Sequence, residues 1–367
     1  MKFSCLGLEL ADAVLKVVKA AAVRTTNPIL ECVKLTAEDD KLTLMCTDLE
    51  LTIIQSIKAD VKIEGEAVIN AKFFSEFARK ISSEQITFTM RNNNSFEILY
   101  GSNTATLQCQ NAEEFPQPKE LETPEKIIIK SNDLKDLVTK ASVAVAQDDS
   151  RPMLKGILLE ITNNQLFGVA LDGVRMALIK KPIISSTAEF GIIISARSLL
   201  EIVKLLPEND TEITVLTQKN HLMIKLDNTI LITRLLGHKA DFVSYQQIIP
   251  TEFSTAITVN RQHLYDTIER ASLLSRIERN HIIKLNIKED NMIINSQSEL
   301  GNIVEHLQIV HSGNDLVIDF NGRFITDSLH VINNEFVKIS FGGNMNPCVI
   351  TPNEGDEYLY LILPMRV

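Results

Sequence analysis

The chain predicts an α+β protein made of three copies of one domain, each with two helices packed on antiparallel sheet. One observation behind this is a helical pattern that occurs three times. In MKFSCLGLELADAVLKVVKAA, KIIIKSNDLKDLVTKASVA and TAITVNRQHLYDTIERASLL, apolar residues stand at offsets 0, +4 and +7 from Leu10, Leu134 and Leu264. The sets Leu10, Val14, Val17; Leu134, Val138, Ala141; and Leu264, Ile268, Ala271 each form one helix face. A second helix follows in each copy, introduced by EAVINAKFFSEFARK, GIIISARSLLEIVKLL and LVIDFNGRFITDSLHVI. Its caps are Asn70, Ser195 and Asn321, at spacings of 125 and then 126 residues. The third observation is the set of alternating or β-branched runs between polar turns, such as KLTLMCTDLELTI, QITFTMRNNNSFEILY, EITVLTQKNHLMIKL and FVKISFGG, which read as strands.

Each element has a local reason. Asn70, Ser195 and Asn321 are side chains that accept hydrogen bonds from the free N–H groups of a first helical turn. Behind Asn321, the residues Phe324, Ile325, Leu329 and Ile332 fall on one apolar face. TDLE at 47–50 and LDGVR at 171–175 occupy equivalent places in two copies and read as tight turns in which Asp bonds its own backbone. The connectors EEFPQPKELETPEK and GHKADFVSYQQIIPTEF, with Phe115 and Phe242 in matching places, divide the chain into domains at 1–124, 125–253 and 254–367. Helices on one side of antiparallel sheet give a two-layer domain. Three such domains in a row carry free sheet edges, and a heterologous end-to-end contact that closes makes a ring.

Composition narrows the function. With 367 residues, 45% hydrophobic and 23% charged, the chain suits two or three globular domains. Its apolar runs are short and broken by charge, so no membrane span is expected. Glu9 and Asp12 interrupt the stretch where a signal peptide needs continuous apolar residues, which predicts a cytoplasmic location. Five cysteines without a C-x-x-C pair read as reduced core residues. A net charge of −10 argues against a protein that coats nucleic acid with an overall basic surface and leaves room only for a local basic zone.

Such a zone repeats with the domains. Two residues after each second-helix cap stand Lys72, Arg197 and Arg323, at the helix end whose dipole disfavours a cation. Arg79 and Lys204 share a further offset, where the third copy has His330, and Lys80 adjoins Arg79. On the first helices Lys16, Lys140 and Arg270 lie six residues after the aligned leucine. Asp12, Asp136 and Asp266 precede them by four, so surface ion pairs explain these three as well as a ligand does. If the helices face a common axis, the bases line a hole able to hold a polyanion. Contacts of this kind read phosphate and not base sequence. With 5% aromatic residues and no Trp to stack bases, duplex is the predicted partner over single strand.

No P-loop, H-E-x-x-H, G-x-S-x-G or G-x-G-x-x-G motif is present. The seven histidines include no i,i+4 pair, and His306 and His311 are five apart, a poor helical ligand spacing. No catalytic residue, metal or cofactor is predicted.

The whole chain resembles the beta subunit of bacterial DNA polymerase III, the replicative sliding clamp family. The residues carrying the likeness are TNPIL (26–30), CTDLEL (46–51), SRPMLKG (150–156), LDGVRMAL (171–178), YQQIIP (245–250), FNGRFITDSL (320–329) and the closing PMRV. The resemblance implies the DNA-clamp fold, a ring-shaped head-to-tail homodimer around duplex DNA, and a processivity factor with no chemistry of its own. It implies as partners the DNA polymerase III catalytic subunit, the clamp loader and other replication and repair proteins, and it adds Arg24 to the DNA-facing residues. It also implies a hydrophobic pocket for partner peptides, carried over to Leu154, Gly173, Val174, Arg175, Met176, Val243, Ile248, Met345, Leu361, Leu363, Pro364, Met365 and Arg366. An adaptable aliphatic groove suits several peptides, and Arg175 or Arg366 is placed to meet a peptide carboxylate. Val174 stands where the family often has His, and Val243, Gln246 and Gln247 where it often has Pro and Arg. The rival expectation is a repeat-built, peptide-binding scaffold that never encircles DNA.

Overall fold

The structure is a computed structural model of the chain. It describes all residues except 82–84, 92–93, 119–121, 277–280 and 367. One cycle of strand, helix, five strands, helix and three strands runs three times. The first copy comprises β1 (Lys2–Leu6), α1 (Gly7–Val17), β2 (Cys32–Glu38), β3 (Lys41–Thr47), β4 (Leu51–Lys58), β5 (Asp60–Ile63), β6 (Gly65–Asn70), α2 (Ala71–Lys80), β7 (Gln85–Arg91), β8 (Ser95–Tyr100) and β9 (Asn103–Gln108). The second comprises β10 (Glu125–Lys130), α3 (Ser131–Ser142), β11 (Gly156–Thr162), β12 (Gln165–Leu171), β13 (Arg175–Pro182), β14 (Ser185–Ser186), β15 (Gly191–Ser195), α4 (Ala196–Val203), β16 (Glu212–Gln218), β17 (His221–Leu226) and β18 (Thr229–His238). The third comprises β19 (Thr255–Asn260), α5 (Arg261–Ser275), β20 (Ile282–Lys288), β21 (Asn291–Ser298), β22 (Gly301–Gln308), β23 (Val310–Gly313), β24 (Leu316–Asn321), α6 (Gly322–His330), β25 (Phe336–Phe341), β26 (Cys348–Pro352) and β27 (Tyr358–Ile362).

The chain forms two compact units. One holds Met1–Ser131, Ser185–Thr187 and Glu201–Leu235, and the other Asn132–Ile184, Ala188–Leu200 and Leu236–Val367. The division cuts the second copy because each of its sheets continues into a different neighbour. In the first unit an unbroken antiparallel run reads β6-β2-β3-β4-β18-β17-β16-β10-β14. In the second it reads β15-β11-β12-β13-β27-β26-β25-β19-β23. The sheets left over are β5-β1-β7-β8-β9 in the first unit and β22-β21-β20-β24 in the second.

The repeated helix faces hold the cores together. Leu10, Val14, Val17, Leu134, Val138, Ala141, Leu264, Ile268 and Ala271 are all buried, each larger one stabilising the fold by about 1.5–3 kcal/mol. Around α1, the first copy adds an aromatic cluster in which Phe3 stacks on Phe88 at 4.8 Å and Phe74 and Phe96 meet Phe88 edge-on. In the second unit, Gly168 on β12 lets α3 approach: a Cβ there would lie 2.4 Å from Leu137. Cys5, Cys32, Cys46 and Cys348 are buried. Burial pushes the Cys5 and Cys348 thiols up to about 12, so they stay neutral fillers.

Exposed bases and an apolar site

The second helices begin as their caps dictate. The Asn70 side chain accepts from the Phe73 N–H at 3.0 Å, and that of Asn321 from the Arg323 N–H at 3.0 Å. Lys72, Arg197 and Arg323 are each the second residue of their helix, α2, α4 and α6, and all three are exposed. Lys72 has no ion pair among the described residues, while Arg323 reaches Asp327 only at 3.8 Å. Arg24, Arg79, Lys80 and Lys204 are also exposed, Lys204 paired with Glu201 at 2.7 Å.

Two of the three first helices make the expected i,i+4 pair, and the third departs from it. Lys16 meets Asp12 at 2.7 Å and Lys140 meets Asp136 at 2.8 Å. Arg270 instead turns away from Asp266 and forks onto Glu305 of β22, with Nε and a terminal nitrogen at 3.0 and 2.7 Å. A bidentate guanidinium–carboxylate pair is stronger than a single i,i+4 contact, and its hydrogen bond holds the Glu305 carboxyl below the usual range. Lys140 also differs from the exposed base anticipated. It lies over the Tyr358 ring at 5.9 Å, and Lys181 shares Asp136 with it at 2.7 Å.

The residues assigned to a peptide pocket all lie in the second unit. Leu154, Met176 and Leu361 are buried in one cluster with Phe242, Tyr245 and Val349. Met176 and Leu361 are register partners across β13 and β27. Val174, Val243, Ile248, Met345, Leu363 and Met365 remain exposed, Met345 at 60%. Pro364 is half-buried and Arg366 exposed. The tail is pinned after β27: the Leu363 N–H donates to the Val174 carbonyl at 2.9 Å, and the Met365 N–H to the Asp319 carbonyl at 2.8 Å. Gly173 supplies φ +97° in the preceding turn, where Asp172 Oδ1 accepts from Val174 and Arg175 N–H, both at 3.0 Å.

Arg175 is not available to a peptide carboxylate. Its guanidinium donates to Asp172 at 2.9 Å and to Asp327 at 2.7 Å, and it lies 4.4 Å from the centre of the Phe324 ring. Phe324 therefore carries a cation where the sequence pattern placed it in the core. Arg366 is left as the exposed base of this set.

Sequence reading missed the buried Glu160, which bonds Lys239 and accepts from the Tyr245 hydroxyl at 3.1 Å. A single acid inside the apolar strand GILLEIT was the available signal. Burial, and then the Glu160 charge, push the Tyr245 phenol upward, so it remains a donor to Glu160. Phe242, read from the sequence only as a connector residue, also packs in the apolar cluster. Its match is Phe115: their N–H groups close onto the Lys239 and Ala112 carbonyls, each at 3.1 Å. No group of three or more His, Cys, Asp or Glu suited to a metal occurs among the described residues.

Comparison with known proteins agrees with this architecture along the whole chain. Residues 1–119, 128–240 and 246–366 match the N-terminal, central and C-terminal domains described for the DNA polymerase III beta subunit. The Beta sliding clamp of Bacillus subtilis strain 168 is 32% identical over 382 residues, covering 100% of both chains. That of Halalkalibacterium halodurans is 31% identical over 362 residues, covering 95% of each. The crystal structure of the Bacillus subtilis DNA polymerase sliding clamp superposes with a TM-score of 0.96 at 29% identity, over 100% of this chain and 99% of that one. Threefold element order, sheet continuity and these matches lead to one assignment: the chain belongs to the DNA polymerase III beta subunit family, the sliding clamps.

Proposed function

We propose that two copies of this chain join head to tail into a ring that encloses duplex DNA and tethers replication proteins to it. Equivalent strands carry the argument. Inside the chain, β4 of the first copy pairs with β18 of the second, and β13 of the second with β27 of the third. By element order β4, β13 and β22 are equivalent, and so are β9, β18 and β27. One such pair stays open: β9 and β22 each end their sheets. A rule used twice within the chain is satisfied a third time only between copies, and two copies close the ring. Phe73 on α2 and Leu273 on α5 are large apolar side chains left 52% and 56% exposed, as side chains awaiting a partner are.

In this reading the domains are 1–124, 125–253 and 254–367. Lys72, Arg197 and Arg323, with Arg24, Arg79, Lys80, Lys204 and Arg270, face DNA and hold phosphate without reading sequence. Lys140, covered by Asp136 and Tyr358, contributes least. The apolar site from Leu154 to Arg366 takes peptides of the polymerase III catalytic subunit, the clamp loader and repair proteins, and the protein acts in the cytoplasm without catalysis of its own. Sedimentation and electron microscopy test this together. A particle of twice the chain mass with an open centre that slides off linear DNA but stays on circles is the expected result. A compact monomer that dissociates equally from both removes the reading.

A further inference from the structure

The first unit contains a cleft of about 420 Å³ whose lining includes Leu49, Glu50, Thr52, Pro116, Ile232 and Arg234. It is built on the same backbone as the apolar site of the second unit. Thr52 pairs with Ile232 across β4 and β18 as Met176 pairs with Leu361 across β13 and β27. Beyond that pair, the Arg234 N–H donates to the Glu50 carbonyl at 2.8 Å, matching the Leu363 N–H on the Val174 carbonyl at 2.9 Å. Leu49 takes φ +74° at the place of Gly173.

The side chains differ in kind. Glu50 stands for Val174, Arg234 for Leu363 and Thr52 for Met176, while Ile232 keeps the aliphatic floor of Leu361. Glu50 is engaged within the chain. The Arg234 guanidinium is exposed and has no hydrogen bond or ion pair among the described residues. Leu49 is also notable, since a branched residue at positive φ is costly, and it holds an apolar side chain 57% exposed at the cleft. A free guanidinium beside two aliphatic side chains favours a ligand with a carboxylate next to an aliphatic group.

We propose that this cleft is a second docking site, for a short linear peptide carrying an acidic residue between aliphatic ones. The peptide class rests on the reading of the apolar site above, whose backbone it shares. The selectivity rests on Arg234 alone.

The test is methyl and arginine side-chain NMR on the full-length protein titrated with N-acetyl-Leu-Glu-Leu-amide. Shifts at Leu49, Ile232 and Arg234 are expected, weakened about tenfold or more by Arg234→Glu or by a Leu-Gln-Leu peptide. Val174→Glu, in the other site, leaves them unchanged, and unaltered melting temperatures show that both variants fold. Shifts confined to Val174, Leu361 and Leu363 overturn this proposal and keep the apolar peptide site. Shifts confined to the cleft support it, as a carboxylate selectivity set by Arg234 requires. Equal binding of the Gln peptide overturns the carboxylate selectivity.

Discussion

The β13·β27 join and the open edges of β9 and β22 use equivalent strands, yet their surroundings differ. At the join, the base on α3 is covered: the Lys140 side chain is 11% exposed, held by Asp136 and Tyr358, and its backbone carbonyl accepts from the Tyr360 hydroxyl at 3.1 Å. At the open edge, its counterpart Arg270 on α5 is 53% exposed and forks onto Glu305 of β22. The third member, Lys16 in the copy joined through β4·β18, lies between them with its side chain 36% exposed. Burial of a charge is tolerated only with a compensating partner, which Lys140 has in Asp136.

The sharpest way to break this comparison is to charge the exposed apolar side chains of α2 and α5. Phe73→Asp combined with Leu273→Asp should convert the proposed dimer to monomer, since central apolar residues of an interface commonly contribute about 2–4 kcal/mol each. Sedimentation equilibrium decides it, and an unchanged dimer would place the contact elsewhere. Replacing Lys72, Arg197 and Arg323 together by Ala should next lower DNA affinity and reduce the salt slope by about 3, roughly 0.9 for each phosphate no longer neutralised. An unaltered slope in a fluorescence titration against duplex would show that these helix ends do not meet phosphate.

A smaller effect is expected at the contact between α3 and β12. Gly168→Ala forces a methyl against Leu137 and should cost about 1–3 kcal/mol of stability, typical of overpacking. Denaturant melts with an unchanged midpoint would mean that the helix retreats freely. The smallest effect concerns the Arg270–Glu305 fork. Its carboxyl is held below the ordinary value of about 4.3, so its contribution is complete above that value and is lost as pH falls through the lowered folded one. The Arg270 Nε resonance should therefore keep its bonded shift down to about pH 4 and lose it only below. A change already at neutral pH would mean that the fork does not form.

Much of the repeat was legible because helix periodicity is local. Offsets 0, +4 and +7 found the buried face of α1, α3 and α5, and the Asn70 and Asn321 caps accept the bonds that their residue type offers. The Asp48 and Asp172 turns were readable for the same reason: Asp48 Oδ1 accepts from Glu50 and Leu51 N–H at 3.0 and 2.8 Å, within four residues of itself. Arg175 was not. Its second carboxylate, Asp327, is 152 residues away, and no local pattern announces that pair.

By itself, then, the sequence determined what depends on near neighbours: the element cycle, the helix faces, the caps and the position of each repeated base. Only the tertiary structure decided which of those bases stay in water. It set β13 against β27 and β4 against β18, spent Arg175 on Asp172 and Asp327, and left the Arg234 side chain without a partner among the described residues. The physical reason is that backbone pairing is nearly blind to side-chain type, whereas the free energy of a charge depends on what long-range packing brings beside it.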